Sequence, residues 1–202
     1  MPEPKTRPIL FSGPMVRAIL DGRKTQTRRI VNPKSVCVDW EYVSVGDRCY
    51  DHASHAYGIP GDRLWVRETW AVNHGTAGGY VYRADHGIAQ CVYEAEHNTG
   101  DWRVAVSQWK PSIFMPRAAS RITLEINDVR VERLQQISDV DSLAEGCSAF
   151  DMKHGDSLTS VYARLWETIN GAGSWAANPW VWVVSFRVIK PAADHREPPS
   201  ND

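Results

Sequence analysis

A nearly continuous apolar run close to the C-terminal end constrains the fold of this chain most. It covers Trp180-Val181-Trp182-Val183-Val184-Ser185-Phe186-Arg187-Val188-Ile189. The run is rich in β-branched and aromatic residues and is far shorter than a membrane-spanning helix. It therefore predicts a final β-strand that is buried in a sheet.

Other short segments predict the rest of the architecture. Further strands are expected at residues 9–11, 64–70 and 80–83, and on both sides of a hairpin turn at Asn127-Asp128. One helix should begin near Pro14 and end at Gly22, a second should follow Ser138 or Asp139 as far as Ala144, and a third should cover residues 157–169.

The order of these elements indicates an α+β fold. Strands and helices do not alternate regularly, so we expect a small mixed β-barrel or curved sheet with flanking helices. The sequence has no G-x-G-x-x-G motif after a strand and no Walker loop, which argues against a Rossmann fold and a P-loop enzyme.

The length of 202 residues suits one hydrophobic core. We predict a single domain over residues 1–190, with insertions at about 35–58 and 75–118, and a disordered polar tail over residues 191–202. The chain begins without the apolar segment of a secretory signal, and its four cysteines are scattered, so a cytoplasmic protein with reduced thiols is expected. The sequence predicts no metal site and no cofactor, although His52 and His55 would form a weak ligand pair.

Positive charge is concentrated at the N-terminal end of a chain whose net charge is −1. Residues 1–34 contain eight lysines or arginines against two acids. A local basic patch on a neutral protein indicates an anionic ligand of limited size, whereas a solvated charged face remains the simpler alternative. The densest part is Arg23-Lys24-Thr25-Gln26-Thr27-Arg28-Arg29, directly after the first predicted helix.

Several segments resemble the ASCH domain family, which has a PUA-like fold. The most specific is residues 22–29, Gly-Arg-Lys-Thr-Gln-Thr-Arg-Arg; the others are Gly61-Asp62 before a strand, residues 141–146 in a short helix, and the late tryptophan-rich strand that ends in Phe186. Together they cover roughly residues 8–190. The segments at 65–70 and 178–182 are similar to the longer form of the family found in bacteriophage and prophage genomes.

The resemblance implies a role connected with RNA or modified nucleosides. A short bacterial member of the family is an amidohydrolase that removes the acetyl group from acetylcytidine, and its catalytic Lys, Thr and Glu match Lys24, Thr27 and Glu145 here. In such chemistry the threonine hydroxyl is the nucleophile and the lysine is the base that activates it, provided that burial and neighbouring cations lower the lysine pKa. Residues three apart on a straight strand point to opposite faces, so Lys24 and Thr27 need a turn or bulge to converge.

Two alternatives to this hydrolase stay open. One is a non-catalytic module that binds RNA, DNA or a modified base through phosphate contacts and aromatic stacking, and the other is a ribonuclease on the same fold. Nothing in the sequence indicates a membrane partner. The residues expected to bind the ligand in any of these cases are Arg23, Thr25, Arg28, Arg29, Glu68 and Trp175. Glu68 has a second interpretation as the partner of a buried arginine, and most of the nine tryptophans, such as Trp65, are expected in the core.

Overall fold

The computed structural model describes residues 3–31, 57–74, 79–85 and 108–190. Within them lie seven β-strands, three α-helices and four short 3-10 helices. The strands are β1 (Thr6–Leu10), β2 (Gln26–Ile30), β3 (Arg63–Arg67), β4 (Trp70–Val72), β5 (Tyr80–Tyr82), β6 (Thr123–Arg133) and β7 (Trp180–Lys190). The helices are α1 (Gly13–Leu20), α2 (Asp139–Ala144) and α3 (Leu158–Asn170).

The strands form two sheets. Five of them lie in the order β1-β3-β6-β7-β2, and β4 pairs with β5 in a separate antiparallel ribbon. Strand β2 runs antiparallel to β7, with Gln26 opposite Ser185 and Arg28 opposite Val183. These sheets and the three helices confirm the α+β class, and β7 confirms the long C-terminal strand.

The helix ends follow the local sequence signals. Ser138 accepts a hydrogen bond from the Asp141 N–H in a capping box at α2, and Ser157 accepts one from the Ser160 N–H at α3. Gly22, after α1, has a φ of 72°, which glycine adopts without the steric cost that a Cβ atom would bring. The predicted helices were therefore correct in position.

Two strand predictions were wrong in detail. No hairpin turn interrupts residues 123–133, because Asn127 and Asp128 lie inside the continuous eleven-residue strand β6. The predicted strand at 64–70 is divided, with β3 ending at Arg67 and β4 beginning at Trp70. In both cases pairing with neighbouring strands outweighs the local turn or strand preference of a few residues.

The chain divides into two compact units. Unit 1 contains residues 1–7, 21–63 and 125–187, and unit 2 contains residues 8–20, 64–124 and 188–202. The main core of unit 1 packs α3 against β7 and consists of Leu134, Ile137, Cys147, Val161, Tyr162, Trp166, Val181 and Val183. A cluster in unit 2 consists of Trp70, Tyr82, Met115 and Ala119. The single domain over residues 1–190 stays a prediction.

Some expectations fall outside the described residues. These are most of the insertion at 35–58, the stretches 75–78 and 86–107 of the second insertion, the His52 and His55 pair, and the tail at 191–202. In the part of the chain that the structure describes, no helix is long and apolar enough to cross a membrane. The same residues contain no group of three His, Cys, Asp or Glu side chains arranged to hold a metal ion.

Candidate functional site

Lys24 is a buried lysine whose ammonium group contacts a carboxylate. Its side chain is 1% exposed, and its Nζ lies 2.7 Å from Glu145 Oε2. The same Nζ donates to the backbone carbonyls of Gln26 at 2.7 Å and Glu145 at 2.9 Å. Two of the three residues that the sequence predicted as catalytic, Lys24 and Glu145, are therefore in direct contact.

The backbone fixes this contact. Lys24 and Glu145 form an antiparallel bridge just before β2, and the Thr25 N–H donates to the Ala144 carbonyl at 2.8 Å. The Thr25 carbonyl accepts a hydrogen bond from the Phe186 N–H at 2.8 Å. The short segment is thus held between the C-terminal end of α2 and the strand β7.

Arg28 lies on the same side of β2 and contacts several acceptors. Its side chain is fully buried, and its Nη2 lies 2.6 Å from Glu132 Oε1 and 3.2 Å from Asp141 Oδ2. Its Nη1 lies 3.3 Å from Glu145 Oε1 and donates to Gln26 Oε1 at 2.6 Å. A guanidinium group suits such a site because it presents five donors in a rigid plane.

Arg130 completes the network from β6. It contacts Glu132 Oε2 at 3.1 Å and Asp141 Oδ1 at 3.2 Å. The resulting group, called the ionic cluster below, balances three cations against three carboxylates. Its members are Lys24, Arg28, Arg130, Glu132, Asp141 and Glu145.

Burial and ion pairing shift the pKa values of these groups in opposite directions. Burial lowers the pKa of Lys24 below its ordinary value, although Glu145 opposes that shift. Burial also disfavours the charged form of Arg28, but Glu145 and Glu132 outweigh it and raise the Arg28 pKa. Desolvation acts to raise the Asp141 pKa, yet Arg28, Gln26 and Arg130 hold it below its ordinary range. Of Lys24 and Arg28, Lys24 is therefore the cation more readily made neutral.

Two other ionisable groups beside the cluster are stabilised in their neutral forms. Burial, followed by the negative charge of Glu145, raises the pKa of the Cys147 thiol to about 11. The same two causes raise the pKa of Tyr162, whose ring lies 5.9 Å from the Arg28 guanidinium carbon. Neither group is suited to act as an anionic nucleophile at neutral pH.

The Cys147 shift predicts a loss of stability in alkali. The ordinary thiol pKa is 9.0 and the folded value is about 11, so between these pH values the unfolded chain loses a proton that the folded chain retains. Stability should fall as the pH rises through this window, by about 2–3 kcal/mol from this group. Urea unfolding at several pH values should show a smaller alkaline loss for Cys147→Ala than for the unsubstituted protein. Equal losses of stability in both proteins would contradict a raised pKa of the Cys147 thiol.

Thr27 is buried, and its side chain points away from those of Gln26 and Arg28. Side chains alternate along a strand, and Gln26 and Arg28 contact each other on the side of Glu145. Thr27, which lies between them and opposite Val184, therefore points to the other face of β2. The register with β7 is regular from Gln26 to Ile30, so a turn or bulge that brings Lys24 toward Thr27 has to lie before Gln26.

The remaining residues of the basic segment differ in exposure. Arg23 is exposed and contacts Asp21 at 2.8 Å and the Gly146 carbonyl at 3.3 Å. Thr25 is exposed as well, whereas Arg29 is partly buried and its positive charge contributes to the lowered pKa of Lys24. Arg23 and Thr25 are thus the most exposed members of the segment.

The two predicted ligand-binding residues outside the segment have different surroundings. Trp175 is partly buried against the core of unit 1 and makes an edge contact with Tyr162, with ring centroids 6.3 Å apart. Glu68 belongs to unit 2, is 1% exposed, and pairs with Arg121 at 2.9 Å. Burial raises the Glu68 pKa although Arg121 opposes it. The interpretation of Glu68 as partner of a buried arginine agrees with this contact.

The sequence interpretation did not identify Glu132 and Arg130 as members of the site. Their spacing indicates only that they share one face of a strand, because residues two apart do so; it does not indicate that this face meets β2.

No family model matches the chain, and no curated protein matches it by sequence. Solved structures that are similar to it include an ASCH domain from Lactobacillus crispatus, at 12% identity and a TM-score of 0.42, covering 92% of this chain and 80% of that one. They also include a DUF984 protein from Enterococcus faecalis, at 11% identity and a TM-score of 0.40, covering 98% of this chain and 87% of that one.

Proposed function

We propose that this chain is a nucleotide- or RNA-directed hydrolase that cleaves an amide on an acylated nucleoside, with Lys24 transferring protons and Glu145 assisting it. The observation that carries the proposal is the buried contact of 2.7 Å between these two side chains, together with the lowered pKa of Lys24. Perturbed lysines paired with a carboxylate are typical of sites that move protons. The ASCH-like motif around Lys24 supplies the substrate class.

The chemistry requires Lys24 in its neutral form. The neutral amine would accept a proton from the nucleophile as its oxygen forms a bond with the acyl carbon. The C–N bond then breaks, and the departing amine takes a proton from the Lys24 ammonium group. Glu145 would stabilise that ammonium through its charge, and the products are a carboxylic acid and the free nucleoside.

The nucleophile is either Thr27 or a water molecule. Attack by the Thr27 hydroxyl would produce an acyl ester, which water then hydrolyses in a second step. The direction of Thr27 toward the other face of β2 favours direct attack by water. These routes differ in whether removal of the Thr27 hydroxyl abolishes turnover.

The same direction of Thr27 favours a second candidate function, a module that binds a modified base without chemistry. In such a module the balanced ionic cluster would support the fold of the site, while the exposed Arg23 and Thr25 would contact the ligand. Binding without turnover would distinguish it from the hydrolase.

The test is incubation of the purified protein with acetylcytidine and measurement of cytidine by chromatography. We expect Lys24→Arg, which keeps the charge but cannot become neutral, and Glu145→Gln each to lower turnover by at least about a hundredfold. Thr27→Val should lower turnover as much as those two substitutions only if Thr27 is the nucleophile. In that case Thr27→Ser, which keeps a hydroxyl, should retain activity. Arg187→Gln, which changes an exposed residue, is the control.

Two results would contradict the hydrolase. One is unchanged turnover in folded Lys24→Arg and Glu145→Gln proteins. The other is a lack of turnover in the unsubstituted protein on both free acetylcytidine and acetylated RNA. Saturable binding of acetylcytidine in that second case would support the binding module.

A further inference from the structure

Tyr162 is a buried tyrosine of α3 whose ring is held beside the ionic cluster. The residue is 4% exposed, and its ring centroid lies 5.9 Å from the Arg28 guanidinium carbon. The ring of Trp166 lies 6.2 Å away at an angle of 44°, and the ring of Trp175 lies 6.3 Å away at 73°. Because these neighbours pack against the ring, they fix the direction in which its hydroxyl points.

The charges that act on the Tyr162 hydroxyl show which way it points. After burial, the negative charge of Glu145 is the largest cause of its raised pKa, and Arg28 and Arg29 oppose that shift. Coulomb effects weaken with distance, so a hydroxyl that senses these three groups faces the ionic cluster and not the apolar core of unit 1. The raised pKa keeps the hydroxyl protonated at neutral pH, and it is therefore a hydrogen-bond donor.

This donor has no acceptor within the described part of the chain. The Tyr162 hydroxyl forms no hydrogen bond with any described residue. Tyr82 in unit 2 shows the usual arrangement of a buried tyrosine, since it is 8% exposed and its hydroxyl donates to the Ala119 carbonyl at 2.8 Å. The described buried atoms that lack a partner do not include the Tyr162 hydroxyl oxygen, so that oxygen keeps a small contact with open space. A ligand atom can therefore reach it.

The surroundings of the hydroxyl favour an uncharged acceptor. Glu145 is buried, and its two carboxylate oxygens contact Lys24 at 2.7 Å and Arg28 at 3.3 Å. Its negative charge is the strongest one acting on the hydroxyl, and it would repel a phosphate or carboxylate placed there. A carbonyl oxygen accepts a hydrogen bond without carrying a charge.

The proposed reaction provides such a carbonyl. The acyl carbon of the substrate has to lie beside Lys24, because Lys24 exchanges protons with the groups that add to it and leave it. Lys24 contacts the same carboxylate that acts on the Tyr162 hydroxyl. The oxygen of the acyl group is consequently the ligand atom expected beside that hydroxyl.

We propose that the Tyr162 hydroxyl donates a hydrogen bond to the acyl carbonyl oxygen of the bound nucleoside, and that it thereby determines a preference for acylated over alkylated bases. The inference rests on the proposed function for the identity of the ligand. It applies to turnover and equally to binding without turnover.

Two nucleosides that differ at the carbonyl test the proposal. Acetylcytidine carries the carbonyl, whereas ethylcytidine has a methylene in its place and no amide to hydrolyse. Initial rates give kcat/KM for acetylcytidine, and competition gives the inhibition constant of ethylcytidine; if acetylcytidine binds without turnover, calorimetric dissociation constants replace both. Tyr162→Phe should lower kcat/KM or affinity for acetylcytidine by roughly threefold to tenfold, the usual effect of one hydrogen bond, and should change the constant for ethylcytidine by less than about twofold.

Tyr82→Phe is the matched control. It removes a buried hydroxyl that has an internal acceptor, so it should lower the melting temperature and leave the preference for acetylcytidine over ethylcytidine unchanged. Tyr162→Phe should do the reverse. Its melting temperature should stay within about 2 °C of that of the unsubstituted protein, because no internal hydrogen bond is lost.

Four results would overturn the proposal. If Tyr162→Phe keeps the full preference while Lys24→Arg loses turnover, the role of Tyr162 is wrong and the hydrolase stands. Equal losses for both nucleosides would place the hydrogen bond at another atom of the ligand. A melting temperature lowered as far as in Tyr82→Phe would mean that the Tyr162 hydroxyl has an internal partner. A lack of both turnover and binding of acetylcytidine in the unsubstituted protein would remove this proposal together with the proposed function.

Discussion

Arg28→Met is expected to lower the free energy of unfolding by about 3–5 kcal/mol, because it leaves buried carboxylates without their cation. Arg28 contacts Glu132, Asp141 and Glu145, whose side chains are 9%, 22% and 4% exposed. Methionine fills a similar volume, so the loss measures charge and hydrogen bonding more than packing. Urea or thermal unfolding at neutral pH measures it.

A matched control isolates the effect of burial. Arg187→Met removes an arginine that pairs with Glu125 at 2.7 Å, but those side chains are 64% and 26% exposed. Exposed pairs of this kind contribute at most about 1 kcal/mol. A loss for Arg28→Met no larger than the loss for Arg187→Met would mean that the cluster does not stabilise the fold. Arg28 holds the Asp141 pKa below its ordinary value, so lowering the pH until Asp141 is protonated should narrow the difference in unfolding free energy between the two variants.

Lys24→Met is expected to lower the free energy of unfolding by about 3 kcal/mol, since it breaks a buried pair and removes a donor from two backbone carbonyls. Glu145→Gln should have a smaller effect, because its amide can still accept hydrogen bonds from Lys24 and Arg28 at one oxygen. The double substitution should cost less than the sum of the two by about 1 kcal/mol or more, as expected for side chains in contact. Chemical unfolding of the four proteins provides this comparison.

The coupling energy between Lys24 and Glu145 bears on function as well as on stability. A coupling near zero would mean that Lys24 and Glu145 do not act as a pair in solution, and the proposed proton transfer would lose its structural basis. Arg23→Met, which affects the exposed contact with Asp21, is the matched control and should change stability by less than about 1 kcal/mol.

Local sequence signals predicted several parts of the fold correctly. The cap at Ser138, the stop at Gly22, the apolar periodicity of residues 157–169 and the apolar run of β7 identified the helices and the last strand. These features depend on hydrogen bonds and dihedral preferences within a few residues, so they can be recognised without knowledge of the rest of the chain.

The candidate site was only partly predictable, because its contacts join residues that are far apart in the sequence. The motif indicated Lys24 and Glu145, but their contact depends on the bridge before β2. Which carboxylates surround Arg28 depends on how β6, α2 and β2 meet. No local pattern reveals that Glu132 lies beside Arg28, since the two are far apart in sequence.

The sequence by itself determined the α+β class, the helix ends, the buried last strand and the position of the basic segment after α1. Only the tertiary structure decided that β6 is continuous, that Lys24 and Arg28 are enclosed by three carboxylates, and that Thr27 points to the other face of β2. Local preferences are set by neighbours along the chain, whereas the pairing of charges is set by strand register and by the side-chain alternation that follows from it.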